Sequence, residues 1–157
     1  MVRITEPRIK ASGLVVDASG LGRQSIVTGS SAVEAQWSYT IGPVNAFALR
    51  EQPDEAAPLI AIGKRDGMLM LLDADGNLVR KTVMPSDIRT LAATGEGDAA
   101  HLAVATAQGI QILDSKLATQ SSIAVAGCGA LSWLEDNGQR TVVGMTDHGD
   151  VAAYSVE

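Results

Sequence analysis

A chain of 157 residues, 46% hydrophobic and 19% charged, is long enough for one domain with a real core and too apolar for a disordered chain. The net charge of −6 argues against nucleic acid as a partner, because phosphate binding needs a basic surface. A single cysteine, Cys128, excludes an intrachain disulfide framework, and no apolar run approaches the roughly 18 residues of a membrane span.

Aromatic residues make up only 3%, so the apolar content is aliphatic, and sixteen glycines accompany it. That mixture predicts many short strands joined by tight turns. The start, MVRITEPRIK, is positively charged, but no apolar stretch follows it as a signal peptide requires. With one cysteine, this favours a reducing, cytoplasmic setting and leaves the compartment otherwise open.

From the N-terminus, Val2–Ile4, LVVDAS (14–19), QSIVTG (24–29) and EAQWSYTI (34–41) read as a worn set of four strands. SGLG and TGSS between them could equally be irregular loops. A clearer pattern begins at Val44. First strands are expected at 44–49, 88–93 and 128–133, separated by 44 and 40 residues. Second strands are expected at 58–63, 101–106 and 140–145, separated by 43 and 39. Two independent pieces thus keep nearly one period, the mark of a repeat architecture. Third strands follow a glycine each time: Gly67 before MLMLLD, Gly109 before IQILD, Gly149 before DVAAYSV. Glycine suits such turns because tight hairpins need φ > 0. Fourth strands are LVRKTVM (78–84) and LATQSSI (117–123), and the last repeat has none.

The expected repeats are therefore 1–43 (degenerate), 44–87, 88–127 and 128–157, in one domain. Helix evidence is poor: the helix-tolerant windows at 51–57 and 91–100 are broken by Pro53, Gly95 and Gly97. Continuous apolar runs such as LIAI and LMLL suit inner strands covered on both faces. LVRKTV alternates, as a strand half in water should.

A four-stranded unit repeating every 40 or so residues is the signature of a β-propeller blade. WSYTIGPVNAFAL followed by PLIAIGKRDGMLMLLDADGNLV resembles the blades of PQQ-like, VCBS/FG-GAP-like and WD40-like propellers. The likeness covers about residues 34–157 and implies an all-β, propeller-like fold of about four blades, the last lacking its fourth strand. It departs from those families in telling ways. Calcium-binding blades carry a D-x-D-G-D-G-type loop between first and second strands, whereas here those loops read REQPDEAA, TGEGDA and EDNGQ. Blades of the WD40 type end in Trp-Asp, whereas here Leu72-Asp73 and Leu113-Asp114 stand in that place.

The residues offer little chemistry. Asp73-Ala74-Asp75-Gly76-Asn77 looks like the start of a cation loop, but no bidentate Glu follows, so a hairpin tip is the better reading. His101 and His148 are the only histidines, and nothing in their spacing makes them converge with Cys128. His101 reads as structural, Cys128 as a small buried hydrophobe, and Trp37 and Trp133 as packing between blades. The glycine-rich stretches at 20–23 and 94–97 precede no helix that could hold a phosphate.

In propellers, the turns between second and third strands share one face with the connections between blades. If this face binds, Lys64, Arg65, Asp66, Asp87, Asp147 and His148 are the residues expected to do so. The expected function is that of a non-catalytic scaffold or protein-interaction module, with self-association or a protein partner, no metal and no cofactor. Without closure of a ring, the end blades should expose apolar faces and strand edges. One alternative is a lectin-like, carbohydrate- or ligand-binding propeller. Another is a degenerate part of a quinone-dependent, PQQ-like enzyme.

Overall fold

The computed structural model describes residues 15–16, 38–53 and 56–156. It divides at the start of the first long strand into two compact units, Met1–Val44 and Asn45–Glu157. In the first unit, β1 (Val15–Val16) pairs in parallel with β2 (Ser38–Tyr39). An antiparallel meander would not give this pairing. The long connection between the two strands permits it, since parallel neighbours need a crossover of about a dozen residues or more. The other strands expected before residue 38, and Trp37, lie outside the described residues.

The second unit is a run of antiparallel meanders. The first sheet has the order β3 (Val44–Arg50), β4 (Leu59–Lys64), β5 (Met68–Leu72), β6 (Leu78–Val83). The second runs β7 (Ile88–Thr94), β8 (His101–Thr106), β9 (Gly109–Leu113), β10 (Thr119–Ile123). The third has three strands, β11 (Cys128–Asp136), β12 (Gln139–Thr146) and β13 (Val151–Val156). Each sheet is laid down strand by strand, and the chain then steps to the next. This is a partial β-propeller-like fold, with successive sheets as blades. The only helical turn among the described residues is a 3-10 turn at Gly97–Ala99, inside one of the helix-tolerant windows.

The middle sheet shows why the fold holds. Because strand side chains alternate, Leu91, Leu102, Val104 and Leu113 face one way and Ala103, Ala105, Ile110 and Ile112 the other. The first set joins Ala61, Leu69 and Leu71 of the first sheet in one core. The second set joins Cys128 and Val142 of the third sheet in another, with Leu131, Trp133, Tyr154 and Val156 packed against it. Each fully buried Leu or Ile here contributes about 1.5–3 kcal/mol through the apolar surface it removes from water. The outer strands carry no such load: β6 reads exposed at five of six positions and β10 at four of five.

Strand pairing corrects one register. Ile60 lies opposite Leu72, and Leu102 lies opposite Leu113. Aligning Leu72-Asp73 with Leu113-Asp114 therefore matches Ile60 to Leu102, not to Ala103 as the alignment of 58–63 with 101–106 implies. The β8–β9 hairpin is one residue shorter than β4–β5, and this absorbs the difference. The turn must absorb it, since a slip within the strand would turn every core residue outward.

Glycine is required where sheets touch. A Cβ on Gly63 of β4 would collide with Cγ2 of Ile88 at the start of β7. Gly67 adopts φ +84°, and a Cβ there would meet the carbonyl oxygens of Ser86 at 2.8 Å and Met84 at 2.9 Å. The β4–β5 turn thus rests directly on the connection between sheets, and the Met84 N–H donates to the Gly67 carbonyl at 2.8 Å.

Side chains tie the sheets further. Arg50, at the end of β3, is buried and donates to the carbonyls of Ser115 at 2.9 Å and Gly97 at 3.0 Å. Burial lowers its pKa, and its Nε has no hydrogen-bond partner among the described residues. Trp133 Nε1 donates to the Ala92 carbonyl at 2.9 Å, which makes Trp133 a packing residue between sheets.

Candidate functional site

The turns β4–β5 and β12–β13 and the connections β6–β7 and β10–β11 lie together at one end of the second unit. Two backbone bonds show it: Met84 N–H to Gly67, and Asp147 N–H to the Gly127 carbonyl at 2.8 Å. The sequence-expected residues lie at this end, and two residues that sequence reasoning missed, Asn45 and Arg89, connect three of them.

Asn45, at the start of β3, donates from Nδ2 to the Ile88 carbonyl at 2.9 Å and accepts from Arg65 Nε at 3.4 Å. Arg89, just inside β7, lies 3.8 Å from Asp87 and 3.4 Å from Asp147. Asp87, Arg89 and Asp147 therefore form one charged cluster across two sheets, and Arg65 reaches the same strand start through Asn45. Lys64 pairs locally with Asp66 at 2.9 Å, and Asp66 Oδ1 also accepts from the Met68 N–H. The Lys64 bond and the Met68 amide hold the Asp66 carboxyl below the usual carboxylate range. His148 is exposed in its turn, with no hydrogen bond or ion pair among the described residues. The structure links Arg65, Asp87 and Asp147 through Asn45 and Arg89, keeps Lys64 and Asp66 as a local pair beside them, and leaves His148 apart.

No sequence signal marked Asn45 and Arg89. Their partners lie 43 and 58 residues away, so only the packed sheets reveal them. Ion pairs this long and this exposed are each worth about 0–1 kcal/mol. They shape a surface and do not hold the fold.

The equivalent turns differ in chemistry. Arg65 and Asp147 both follow the last residue of a second strand, yet they carry opposite charges. The corresponding turn of the middle sheet is Ala107-Gln108.

The DADGN stretch is a closed hairpin tip. Asp73 Oδ1 accepts from the N–H groups of Asp75 and Asn77, and Oδ2 accepts from the Asn77 side chain. The Asn77 side-chain and backbone bonds lower the Asp73 pKa. Asp114 repeats the device, accepting from Lys116 and Ala118 N–H and from the Gln120 side chain. Leu117 takes φ +64° where Gly76 takes +84°.

Cys128 is buried, its Sγ 3.3 Å from the Ala130 carbonyl, and burial raises its pKa. No group of three or more His, Cys, Asp or Glu able to hold a metal occurs among the described residues. No helix among them is long and apolar enough to cross a membrane.

At the opposite end, the strand ends of all three sheets surround an open cavity of about 440 Å³ lined by Glu51, Glu96, Glu135 and Arg140. Beyond the third sheet lies a different surface. Leu134, Met145 and Val151 are 57%, 49% and 62% exposed. The register places them on one face with Ser132, Thr141, Val143, Ala153 and Ser155. Its one charged side chain among the described strand residues is Asp136, at the hairpin end of β11 opposite Gln139. The outer edge of β13 has no paired strand among the described residues.

No protein-family model matches the sequence, and no curated protein matches it. Solved structures do. A crystal structure of BBS1N in complex with ARL6DN, soaked with lead, superposes with a TM-score of 0.60 at 16% identity, covering 79% of this chain and 45% of that one. The yeast heterotrimeric Nup82–Nup159–Nup116 nucleoporin complex gives 0.53 at 14% identity, covering 73% and 35%. The chain thus spans less than half the length of either neighbour. At these identities the likeness concerns the fold alone, and it agrees with the propeller-like arrangement of sheets.

Proposed function

We propose that this chain is a non-catalytic interaction module, contributing blades to a larger ring or complex. The observation that carries this reading is the largely apolar outer face of the β11–β13 sheet, charged only at Asp136, with Leu134, Met145 and Val151 about half exposed beside an open strand edge. In the two preceding sheets the corresponding face is buried against the next sheet. An aliphatic face left in water favours association. Both structural neighbours named above were solved as complexes, which is in keeping with such a role.

The charged end formed by Lys64, Arg65, Asp66, Asp87, Asp147 and His148 is the second surface of this reading. There a partner would meet alternating charges on a rigid scaffold. The unlike turns of the three sheets count against a lectin-like propeller, whose repeated sites would need repeated side chains.

Sedimentation of the wild-type chain and of a Leu134→Lys/Val151→Lys variant tests the reading. The wild type is expected to gain mass with concentration, and the variant to stay monomeric. A wild type that remains a monomer at the highest concentration would overturn it.

A further inference from the structure

A triangle of polar atoms joins the second and third sheets beside the carboxylate-lined cavity. Arg140 Nη1 lies 2.7 Å from the Ala99 carbonyl oxygen and 2.8 Å from His101 Nδ1, and Nδ1 lies 3.0 Å from the same carbonyl. These contacts cannot all be favourable in one protonation state. A guanidinium only donates, so Nδ1 accepts from it only when bare. A doubly protonated imidazole would instead donate to the carbonyl and set its positive ring against the guanidinium.

Each state has a place for Arg140. With Nδ1 bare, Arg140 of β12 is held to His101 of β8 and to the turn before it. With His101 charged, the guanidinium has carboxylates to turn to: Glu135 of β11 lies 3.8 Å from its Nε, and Glu51 and Glu96 line the same cavity. Asp98, in the 3-10 turn, is the remaining charged group on the segment that leads into β8. The His101 ring also stands 6.4 Å from the Trp133 ring, whose Nε1 is bonded to the middle sheet.

We propose that His101 is a proton-operated latch: neutral, it holds Arg140 between the two sheets, and protonated, it releases Arg140 into the cavity and loosens β11–β13 from β7–β10. The sign follows from the acceptor. The latched state excludes the proton and the loosened state takes it up, so the latch closes as pH rises and opens as pH falls. The device does not depend on the chain having a partner.

The test is an NMR titration of the full chain from about pH 8 to about pH 5, the span in which imidazole changes charge. The exposed His148, at the other strand ends, is the internal control. The His101 ring, the Trp133 indole N–H and the Arg140 Nε–H are expected to shift on one curve. Amide exchange in β11–β13, corrected for its intrinsic pH dependence, should quicken about tenfold relative to β7–β10, the loss of roughly one charge-assisted hydrogen bond. His101→Gln keeps an acceptor at every pH and should abolish the response. Arg140→Gln should give fast exchange at both ends of the range, which keeps the test open if His101→Gln fails to fold. Identical pH responses in wild type and His101→Gln, or titration of His101 with Arg140 and Trp133 unmoved, would overturn the proposal.

Discussion

The β7–β10 and β11–β13 sheets are built from copies of one pattern, yet they live in different surroundings. The middle sheet has a core on each face: Leu102, Val104 and Leu113 on one side, Ala103, Ala105, Ile110 and Ile112 on the other. The last sheet has Val142, Leu131, Trp133 and Tyr154 turned toward a core and Leu134, Met145 and Val151 turned to water. Burial on both faces makes a sheet a structural element, whereas burial on one face leaves a surface for use. The same alternation of side chains yields both outcomes, and only the neighbour differs.

The largest expected effect separates the two sheets directly. Ile112→Ala should cost about 2–5 kcal/mol, because it leaves a cavity between packed sheets. Leu134→Ala, on the bare face, should change stability by no more than about 0.5 kcal/mol. Urea unfolding of both variants checks the contrast, and similar costs would break it.

Next comes the contact between the first and middle sheets. Gly63→Ala should destabilise by about 1–3 kcal/mol through overpacking against Ile88. In an Ile88→Ala background the same Gly63→Ala change should cost less, since alanine lacks the colliding Cγ2. A double-mutant cycle measures that coupling, and strict additivity would show that the collision is relieved elsewhere.

Arg50→Lys probes the polar tie across the same interface. One ammonium cannot reproduce the guanidinium fork that spans the Ser115 and Gly97 carbonyls. A cost of about 1–3 kcal/mol is expected from the unpaired carbonyl. Thermal unfolding would read it, and an unchanged midpoint would show that water replaces the missing donor.

The smallest effect lies in the outer hairpin tips. Asp73 and Asp114 have lowered pKa values, Asp73 chiefly through Asn77 and Asp114 chiefly through the Ala118 N–H. Their folded values lie below the unfolded carboxylate value of about 3.9, so their contribution is present above that pH and is lost as pH falls through the folded values. Asp73→Asn and Asp114→Asn should flatten the acid limb of stability slightly, while leaving the association of the last sheet unchanged. Urea midpoints at about pH 7 and about pH 3 decide this, and a wild-type acid limb in both variants would contradict it.

Much of this fold was legible in the sequence because its signals are local. Glycine before each third strand, aspartate at each hairpin tip and continuous apolar inner strands all lie within a few residues of what they determine. The strand expected at 101–106 is found there, whereas the one expected at 58–63 runs from Leu59 to Lys64, one residue later, because the longer β4–β5 turn, not a visible break in the strand, carries the shift. The ties between sheets were not legible at all. Asn45 to Ile88, Arg50 to Ser115 and Arg140 to His101 join residues 43, 65 and 39 apart. Nothing in an Arg or Asn by itself says that it will bond across a sheet interface. The charged end was legible as a set of turns, since the repeat places them together, but Arg89 at its centre looks like an ordinary strand residue.

Residue-resolved hydrogen exchange of the full chain at low and high protein concentration tests the central claim most directly. If the bare face of the last sheet is the interaction surface, rising concentration should slow exchange in β11, β12 and β13 and leave β3 to β10 unchanged. Protection that appears elsewhere, or none at any concentration, would contradict it.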